Sequence, residues 1–422
     1  MKNNMQKHPS LVSSIFAGKI ARALLLLCFC CGVAQAQDTW KTFGGPNSNF
    51  TVESLPDSLP EEPERLWEIP VRGQSYGPIS VDQKYVVIPD SGAGMDWYYV
   101  VDRETGEELW NYSIENDKEM DFGNSPRVRP MIEFGRLYVL NAWGELHVVD
   151  METQEVVWKK NLPEEFEAEV PVWGYCSGMS FVEEGLIVNP GGAKGGLVCL
   201  NPDDGSVVWT APSDMAEYNQ PLVTEINGVR QIVTFDATSM FSVRLSDGEV
   251  LWRIPVTASS GYICPAPVLT EKGLLVVDQD NGARLYPLKD GMPVEEEMIG
   301  SDLIYAELNT PFILGENAYF FYYGMVCANK ETLEIVWEFY DSDSFAGSAM
   351  GYPFVDTENK RAAIYAKDGT LTLIDLSGEE PEILSEVQLT DMGEIVPALV
   401  NGVIYCRDNS NGAYAYRLWD AE

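Results

Sequence analysis

The sequence predicts an all-β protein: an eight-bladed β-propeller of four-stranded antiparallel blades, closed by an N-terminal strand that completes the last blade. Two recurring landmarks and a recurring type of turn support this prediction. The first landmark, a proline that enters an apolar strand, returns every 42 to 52 residues, with a glycine in its place once. The eight starts are Pro78, Pro130, Gly178, Pro221, Pro267, Pro311, Pro353 and Pro397.

The second landmark is a tryptophan in a short strand that closes the unit. We interpret these tryptophans as structural residues that pack between neighbouring blades. They are Trp110, Trp158, Trp209, Trp252 and Trp337. In two further units that lack the tryptophan, Met298 and Leu384 are predicted to stand in its place.

Turns that combine acidic or amide residues with glycine precede several closing strands. Asp102-Arg-Glu-Thr-Gly106 and Asn201-Pro-Asp-Asp-Gly205 are examples. The acidic or amide side chain can bond to the turn backbone, and glycine can adopt a positive φ. Four short strands joined by such turns, at this period, form one propeller blade.

The last unit contains only three strands before the chain stops. The segment Leu66-Trp-Glu-Ile-Pro70 has the form of a closing strand but precedes the first proline landmark. We therefore expect it to complete the eighth blade, with Trp67 as its structural tryptophan, which removes the exposed edges of an open array.

The N-terminal segment differs from the rest of the chain. Residues 1–36 contain scattered Lys and Arg, then an apolar run, then Ala34-Gln-Ala36, which is the order of a secretory signal peptide. The predicted organisation is a signal peptide (1–36), an N-terminal extension (37–65) and the propeller (66–422). Lipidation at Cys28, Cys30 or Cys31, or a retained anchor, is the alternative to cleavage.

Charge and composition exclude several classes of function. The net charge of −37 argues against nucleic acid as a partner, because phosphate binding requires a basic surface. Only two histidines occur, His8 and His147, which leaves too few for a metal site built from histidines and makes a Ser/His/Asp triad a poor candidate. We predict no catalytic residues, no membrane span after cleavage, and a monomer.

Five cysteines follow the predicted signal segment, and an odd number cannot pair completely. Buried free thiols are expected, with a disulfide or a reactive thiol as the alternative. They are Cys176, Cys199, Cys264, Cys327 and Cys406.

The apolar strand, the Asp-x-x-Thr-Gly turn and the Val-Val-Trp strand together resemble the PQQ-like β-propeller repeat. Trp40-Lys-Thr-Phe-Gly-Gly-Pro46-Asn47 and Pro171-Val-Trp-Gly-Tyr175 are similar to segments of exported PQQ-like proteins of planctomycete-type bacteria. More distantly, the chain resembles the propeller lipoprotein of the outer-membrane β-barrel assembly machinery. That resemblance implies a scaffold without enzymatic activity.

Quinoprotein dehydrogenases share the repeat and imply the alternative function. Members of that family hold pyrroloquinoline quinone (PQQ) over Ca²⁺ with acidic and amide ligands and use an Asp as base. The members that oxidise alcohols also stack the PQQ ring on a disulfide between adjacent cysteines. The adjacent cysteines of this chain, Cys30 and Cys31, lie in the signal segment. No cofactor is therefore expected, and PQQ with Ca²⁺ remains the alternative.

Candidate binding residues lie just before the proline landmarks, because the loops that enter the first strands crowd around the channel of a propeller. Aromatic rings with a few cations could bind a peptide, a glycan or an anionic small molecule; the alternative is that they pack the channel wall. They are Tyr76, Arg127, Arg129, Trp173, Tyr175, Tyr218, Tyr262, Tyr305 and Tyr352.

Two turns rich in Asp and Asn are weak metal candidates. Asp278-Gln-Asp280-Asn-Gly282 and Asp408-Asn-Ser-Asn-Gly412 resemble the start of a Ca²⁺ loop but lack its distant Glu. Ordinary hairpin turns have the same composition. The sequence thus predicts a periplasmic or extracellular binding or scaffolding propeller, with an envelope protein, peptide or glycan as partner.

Overall fold

The computed structural model describes residues 38–121, 123, 125–340, 350–408 and 411–420. Within them the chain forms eight antiparallel sheets, and in each sheet the strands are paired in the order of a propeller blade. The predicted eight-bladed, all-β fold is confirmed. The predicted signal segment lies outside the described residues.

The strands of the first four blades follow one another along the chain. Blade 1 contains β2 to β5, which are Ser80–Val81, Tyr85–Gly92, Met95–Asp102 and Glu108–Glu115. Blade 2 contains β6 to β9, which are Met131–Glu133, Arg136–Leu140, Glu145–Asp150 and Val156–Asn161. Blade 3 contains β10 to β13, which are Ser180–Val182, Gly185–Val188, Leu197–Leu200 and Val207–Ala211. Blade 4 contains β14 to β17, which are Leu222–Ile226, Val229–Asp236, Ser239–Arg244 and Val250–Pro255.

The remaining blades repeat this order with two variations, a small hairpin in blade 5 and a closing strand from the N-terminus in blade 8. Blade 5 contains β18 to β22, which are Val268–Leu269, Gly273–Asp278, Gly282–Lys289, Met292–Pro293 and Ile299–Ser301. Blade 6 contains β23 to β26, which are Phe312–Leu314, Asn317–Phe321, Met325–Asn329 and Ile335–Phe339. Blade 7 contains β27 to β30, which are Gly351–Asp356, Arg361–Ala366, Thr370–Asp375 and Glu382–Gln388. Blade 8 contains β31 to β33 and β1, which are Ala398–Val400, Val403–Arg407, Gly412–Arg417 and Glu64–Pro70.

Helical structure among the described residues is confined to two short segments. The helix α1, Leu162–Phe166, begins after Asn161, whose side chain accepts a hydrogen bond from the Glu164 backbone N–H. A single 3₁₀ turn covers Glu295–Glu297. No helix in the described part of the chain is long and apolar enough to cross a membrane.

Burial explains why the middle strands are apolar on both faces. Val86, Val87 and Ile88 in β3 are all fully buried, because a neighbouring blade covers each side of the sheet. The fourth strands alternate instead: in β13, Trp209 is buried while Val207 and Val208 are exposed. The sequence patterns of the second and fourth strands therefore differ for a geometric reason.

Ring closure occurs as predicted. The strand β1 pairs antiparallel with β33, with Trp67 opposite Ala415 and Pro70 opposite Gly412. Trp67 is only 6% exposed and lies against Tyr405, with ring centroids 5.9 Å apart. The two ends of the propeller are thereby joined in one sheet.

Three of the tryptophans fasten their blade to the next one by the same contact. Trp67 Nε1 donates to Arg103 O at 3.0 Å, in the turn Asp102–Gly106 of blade 1. Gly106, at φ 70°, lies so close to the indole that a Cβ would come within 2.6 Å of Trp67 Cγ. Trp158 and Trp209 donate in the same way to Pro202 O (3.0 Å) and Leu245 O (2.7 Å) of the following blades.

The contact is lost where the next blade changes its turn. Trp252 is buried, yet its Nε1 has no hydrogen-bond partner among the described residues. At this place blade 5 has a hairpin whose Gly291 lies beside Asn227 instead of an indole. Trp110 and Trp337 are half-buried and pack against apolar side chains of the next blade.

The residues predicted in place of the tryptophan in blades 5 and 7, Met298 and Leu384, are each one residue too early. The pairing register places Ser385, not Leu384, opposite Leu373, and Ile299, not Met298, opposite Leu285. In blade 7 a register shift follows Leu373, and this type of irregularity changes which residue faces the core. Sequence spacing alone does not detect it.

The segment before β1, residues 38–63, is here called the N-terminal strap. Trp40 exchanges two backbone hydrogen bonds with Val81 (2.8 and 3.0 Å), on the channel side of β2. Further along, Phe50 O accepts from Val355 N, and Val52 N donates to Val355 O, both at 2.9 Å on the channel side of β27. The strap therefore lies between the innermost strands of blades 1 and 7, across one end of the channel.

Side chains anchor this strap firmly. Trp40 is 1% exposed and packs edge-on against Phe354, with centroids 5.3 Å apart. Leu59 N donates to Ser385 Oγ at 2.8 Å. Ser385 occupies the position of the missing tryptophan in blade 7, where Leu55 and Leu59 of the strap join the core instead.

Candidate binding site at the channel mouth

The end of the channel opposite the strap is surrounded by the loops that enter the first strands. We call this end the mouth. Each blade contributes one half-buried or buried polar or aromatic side chain to it through these loops. In blade order the residues are Tyr76, Arg127, Trp173, Tyr218, Tyr262, Glu307, Tyr352 and Glu394.

Contacts between loops show that the part of the mouth formed by blades 7, 8, 1 and 2 is held together around Glu394. Tyr76 Oη donates to Glu394 Oε2 at 3.2 Å, and Tyr352 Oη donates to Glu394 O at 2.9 Å. Lys367, on the loop between β28 and β29, forms an ion pair with Glu394 Oε1 at 2.9 Å. The carboxylate raises the pKa of Lys367, mainly through this hydrogen bond.

Arg127 completes this part of the mouth. Its guanidinium carbon lies 5.3 Å from the centre of the Tyr76 ring, a cation–π geometry. The same guanidinium donates to Asp121 O at 2.7 Å and to Gly123 O at 3.1 Å. The cations of this part therefore have partners within the chain. We call blades 7, 8, 1 and 2 the neutralised half.

The part formed by blades 3 to 5 is an aromatic cluster. The ring centroids of Trp173 and Tyr262 lie 4.9 Å apart at 87°, those of Trp173 and Tyr218 lie 5.6 Å apart, and those of Tyr218 and Tyr262 lie 6.4 Å apart. The Trp173 backbone N–H donates to Tyr218 Oη at 3.3 Å. Burial raises the pKa of Tyr218 and of Tyr262 to about 12, so both phenols stay neutral.

Two carboxylates accompany this aromatic cluster. Tyr262 Oη donates to Glu307 Oε1 at 3.0 Å. Glu217 is 5% exposed, and its Oε2 accepts from the Ile263 backbone N–H at 2.7 Å. Burial raises the pKa of Glu217 to about 7, against the opposing effect of its backbone hydrogen bonds. We call blades 3 to 6 the acidic half of the mouth.

Cys264, the residue after Ile263, is half-buried in the acidic half. The pKa of Cys264 is raised well above its usual value, first by burial and then by electrostatic interactions with Cys176, Glu217 and Glu307. The five cysteines of the described residues are all free, as predicted, and none is adjacent to another in sequence. None of them can form a disulfide between adjacent residues.

Two of the candidate residues lie in the wall rather than at the mouth. Arg129 is 6% exposed and donates to the backbone carbonyls of Ile79, Val396 (3.4 Å) and Pro397 (3.3 Å). Burial lowers its pKa to about 9. Tyr175 is 2% exposed and donates to Pro190 O at 3.0 Å. Both side chains tie loops and strands together, which differs from the binding role expected for them.

Tyr305 lies at the edge of the mouth, in blade 6. Its Oη donates to Asp302 O at 2.7 Å, and its ring lies 5.9 Å from that of Tyr322. Sequence reasoning missed Glu217, Glu307, Glu394 and Lys367. The three glutamates stand three or four residues before a proline landmark, and this common spacing would have identified them.

The Asp-rich turns bind their own backbone and neighbouring side chains. Asp278 accepts from Asp280 N (2.8 Å) and Asn281 N (2.7 Å) and pairs with Arg284. Asp280 accepts from Ser260 N at 2.8 Å, and Asp408 accepts from Asn411 N at 3.2 Å. Among the described residues, no three His, Cys, Asp or Glu side chains are grouped so that they could hold a metal ion.

Large apolar side chains are exposed on the loops around the mouth. The exposed fractions are 69% for Val172, 70% for Leu303, 60% for Tyr323 and 37% for Met392. Exposed apolar groups beside a cluster of aromatic rings are typical of binding sites.

Comparison with known proteins agrees with this fold. The sequence model of the family described as outer membrane protein assembly factor BamB matches residues 94–297, which run from the start of β4 in blade 1 to the 3₁₀ turn in blade 5. No curated protein matches the sequence.

Solved structures of similar fold cover most of the chain. BamB from Moraxella catarrhalis is 13% identical, with a TM-score of 0.58 over 84% of this chain and 100% of that one. Quinohemoprotein alcohol dehydrogenase from Comamonas testosteroni is 12% identical, with a TM-score of 0.64 over 92% of this chain and 82% of that one. The computationally designed Ika8 protein is 10% identical, with a TM-score of 0.58 over 84% of this chain and 99% of that one.

At these identities the structural neighbours report on the fold alone, and they include an assembly factor, an enzyme and a designed protein. Taken with the repeat, the family model that matches residues 94–297 and the eight closed blades, they show that the chain is similar to PQQ-like β-propellers.

Proposed function

We propose that the protein is a binding or scaffolding propeller without enzymatic activity, which works in the cell envelope or outside the cell and holds a partner at the channel mouth. One observation carries the proposal: the two ends of the channel differ. The N-terminal strap pairs with inner strands at one end, whereas the other end presents aromatic rings bordered by exposed apolar side chains.

The mouth is better suited to binding than to chemistry. Glu394 is held by Tyr76 and Lys367, Glu217 by a backbone N–H, and Glu307 by Tyr262. These contacts fix the shape of a recognition surface. A partner from the envelope, in the form of a peptide or protein segment, would contact the rings and the apolar rim together.

Site-specific photo-cross-linking tests this proposal. A benzoylphenylalanine in place of Val172, which is 69% exposed beside Trp173, should form a defined cross-linked product in native envelope. The same residue in place of Phe134, which is 62% exposed in the turn between β6 and β7, is the matched control for the other face. The Val172 product should also disappear when Trp173→Ala is added. Equal products from both faces would contradict the proposal.

A quinoprotein dehydrogenase is the alternative, because the fold matches a quinohemoprotein alcohol dehydrogenase over most of both chains. That function predicts reduction of a dye by an alcohol or a sugar once purified protein is loaded with PQQ and Ca²⁺. We expect no reduction above that of the same protein without added PQQ and Ca²⁺, and sustained turnover would make the protein an enzyme.

A further inference from the structure

Both halves of the mouth contain a tyrosine that donates a hydrogen bond to a glutamate, but only in one half does a lysine also pair with that glutamate. In the neutralised half, Tyr76 donates to Glu394 at 3.2 Å, and Lys367 pairs with the same carboxylate at 2.9 Å. In the acidic half, Tyr262 donates to Glu307 at 3.0 Å. Among the described residues, no lysine or arginine lies within ion-pair distance of Glu307 or Glu217. The acidic half therefore has the tyrosine and the carboxylate but lacks the cation.

We propose that a cationic group from outside the chain, an alkylammonium or a guanidinium, occupies the acidic half in the place that Lys367 takes in the other half. A lysine or arginine side chain on a peptide segment of the partner is the source we favour, and a free polyamine is the other source of the same chemistry. This inference rests on the proposed function, because it specifies what the same mouth binds.

The aromatic cluster suits a cation. The three rings are edge-on or tilted to one another rather than stacked, so their faces point in different directions. They belong to Trp173, Tyr218 and Tyr262. Trp and Tyr faces attract ammonium and guanidinium groups through the ring quadrupole, and the attraction grows when the site excludes water. All three rings are half-buried, so each retains accessible surface.

Hydrogen-bonding capacity points to the same kind of ligand. Glu307 and Glu217 supply acceptor oxygens, and Asn219, two residues after Glu217 and fully buried, has an Oδ1 without a partner among the described residues. An ammonium offers three donors and a guanidinium five, and neither offers an acceptor. A ligand made only of donors complements loops with spare acceptors.

The negative net charge of the chain would assist its association with a cationic ligand. The chain carries a formal charge of −37 and therefore attracts basic segments over a longer range than neutral ones. An anionic ligand would meet Glu217 and Glu307 in this half without a compensating cation. The sequence prediction of a peptide is thereby narrowed to a basic one.

Calorimetric titration of the purified chain with defined probes tests the inference. The probes are a capped nonapeptide of three Gly-Lys-Ser repeats, its counterpart with norleucine for lysine, and spermidine. We expect the lysine peptide to bind and the norleucine peptide to bind at least tenfold more weakly. Glu307→Gln should weaken binding of the lysine peptide at least tenfold.

Glu152→Gln is the matched control, since it removes one negative charge from an exposed position in the turn between β8 and β9, on the opposite face. It should change the affinity less than twofold. Thermal melting shows that the variants are folded before they are titrated.

Each outcome decides the question. Equal binding of the lysine and norleucine peptides, or equal effects of Glu307→Gln and Glu152→Gln, would overturn cation recognition. Binding of spermidine without the lysine peptide would keep the cation and reject the peptide. If no probe binds, the cation is rejected, while the cross-link from Val172 still tests the proposed function independently.

Discussion

The two halves of the channel mouth contain similar residues with different partners. In the neutralised half, a carboxylate, a tyrosine and a lysine bind one another, and the arrangement is complete within the chain. In the described part of the acidic half, Glu217 and Glu307 have tyrosine and backbone partners, and three aromatic rings lie beside them. We propose that the first half provides structure and the second provides a place for a ligand.

Both halves depend on the ring that carries them, so the largest effect should come from breaking its closure. Trp67→Ala removes a buried indole and its hydrogen bond to Arg103 O. We expect a loss of roughly 3–5 kcal/mol in the free energy of unfolding, measured by denaturant melting. Trp110→Ala, at a half-buried tryptophan, is the control and should cost clearly less. Equal costs would mean that β1 does not close the ring.

A pH-dependent effect on stability should distinguish the acidic half. Burial raises the pKa of Glu217 to about 7, above its usual value near 4.5, so the folded protein disfavours the ionised form. Below about pH 4.5 Glu217 is protonated in both the folded and the unfolded protein, so it does not lower the free energy of unfolding. As the pH rises toward 7, the group ionises first in the unfolded protein, and the free energy of unfolding falls. Glu217→Gln removes this loss and should stabilise the protein at pH 8 by up to roughly 3 kcal/mol.

Melting curves of wild type and Glu217→Gln at pH 5 and pH 8 measure this difference. The charge of Asp236, at the end of β15, raises the pKa of Glu217 further, and this residue is unchanged in both proteins. Glu152→Gln, at an exposed site, should show no such dependence. A variant whose advantage does not grow between pH 5 and pH 8 would contradict the burial argument.

A smaller effect should separate Glu394 from Glu307. Glu394→Gln removes the ion pair with Lys367 while keeping the shape of the side chain, and Lys367 is half-exposed. We expect a loss of about 1 kcal/mol that shrinks at high salt. Glu307→Gln, which removes a charge without an ion-pair partner among the described residues, should be neutral or slightly stabilising. If both variants lose equal stability, the two halves do not differ in the way described.

The repeat made most of the fold predictable from sequence. The prolines mark strand entry, the tryptophans mark blade contacts, and Leu66 to Pro70 could be recognised as a displaced closing strand. The errors at Met298 and Leu384 arose because strand pairing, not spacing, decides which residue faces the core. The path of the strap could not be predicted, because its bonds to Val81 and Val355 join residues far apart in sequence.

The candidate site was only partly predictable. The aromatic residues before the prolines were found by their spacing, but spacing does not reveal the direction of a side chain. Arg129 and Tyr175 therefore turned out to face backbone carbonyls within the wall. The charge pattern was missed because Lys367 comes from a different loop than Glu394, and only the fold brings them together.

The most direct test of the account is a carbon-13 NMR titration of the glutamate carboxyl groups. We predict one resonance with a midpoint at about pH 7, absent in Glu217→Gln. Since a bound cation favours the ionised carboxylate, the lysine nonapeptide should lower this midpoint, and the norleucine nonapeptide should leave it unchanged. A midpoint that does not respond to the lysine peptide, or glutamates that all titrate near their ordinary value, would contradict a cation site in the acidic half.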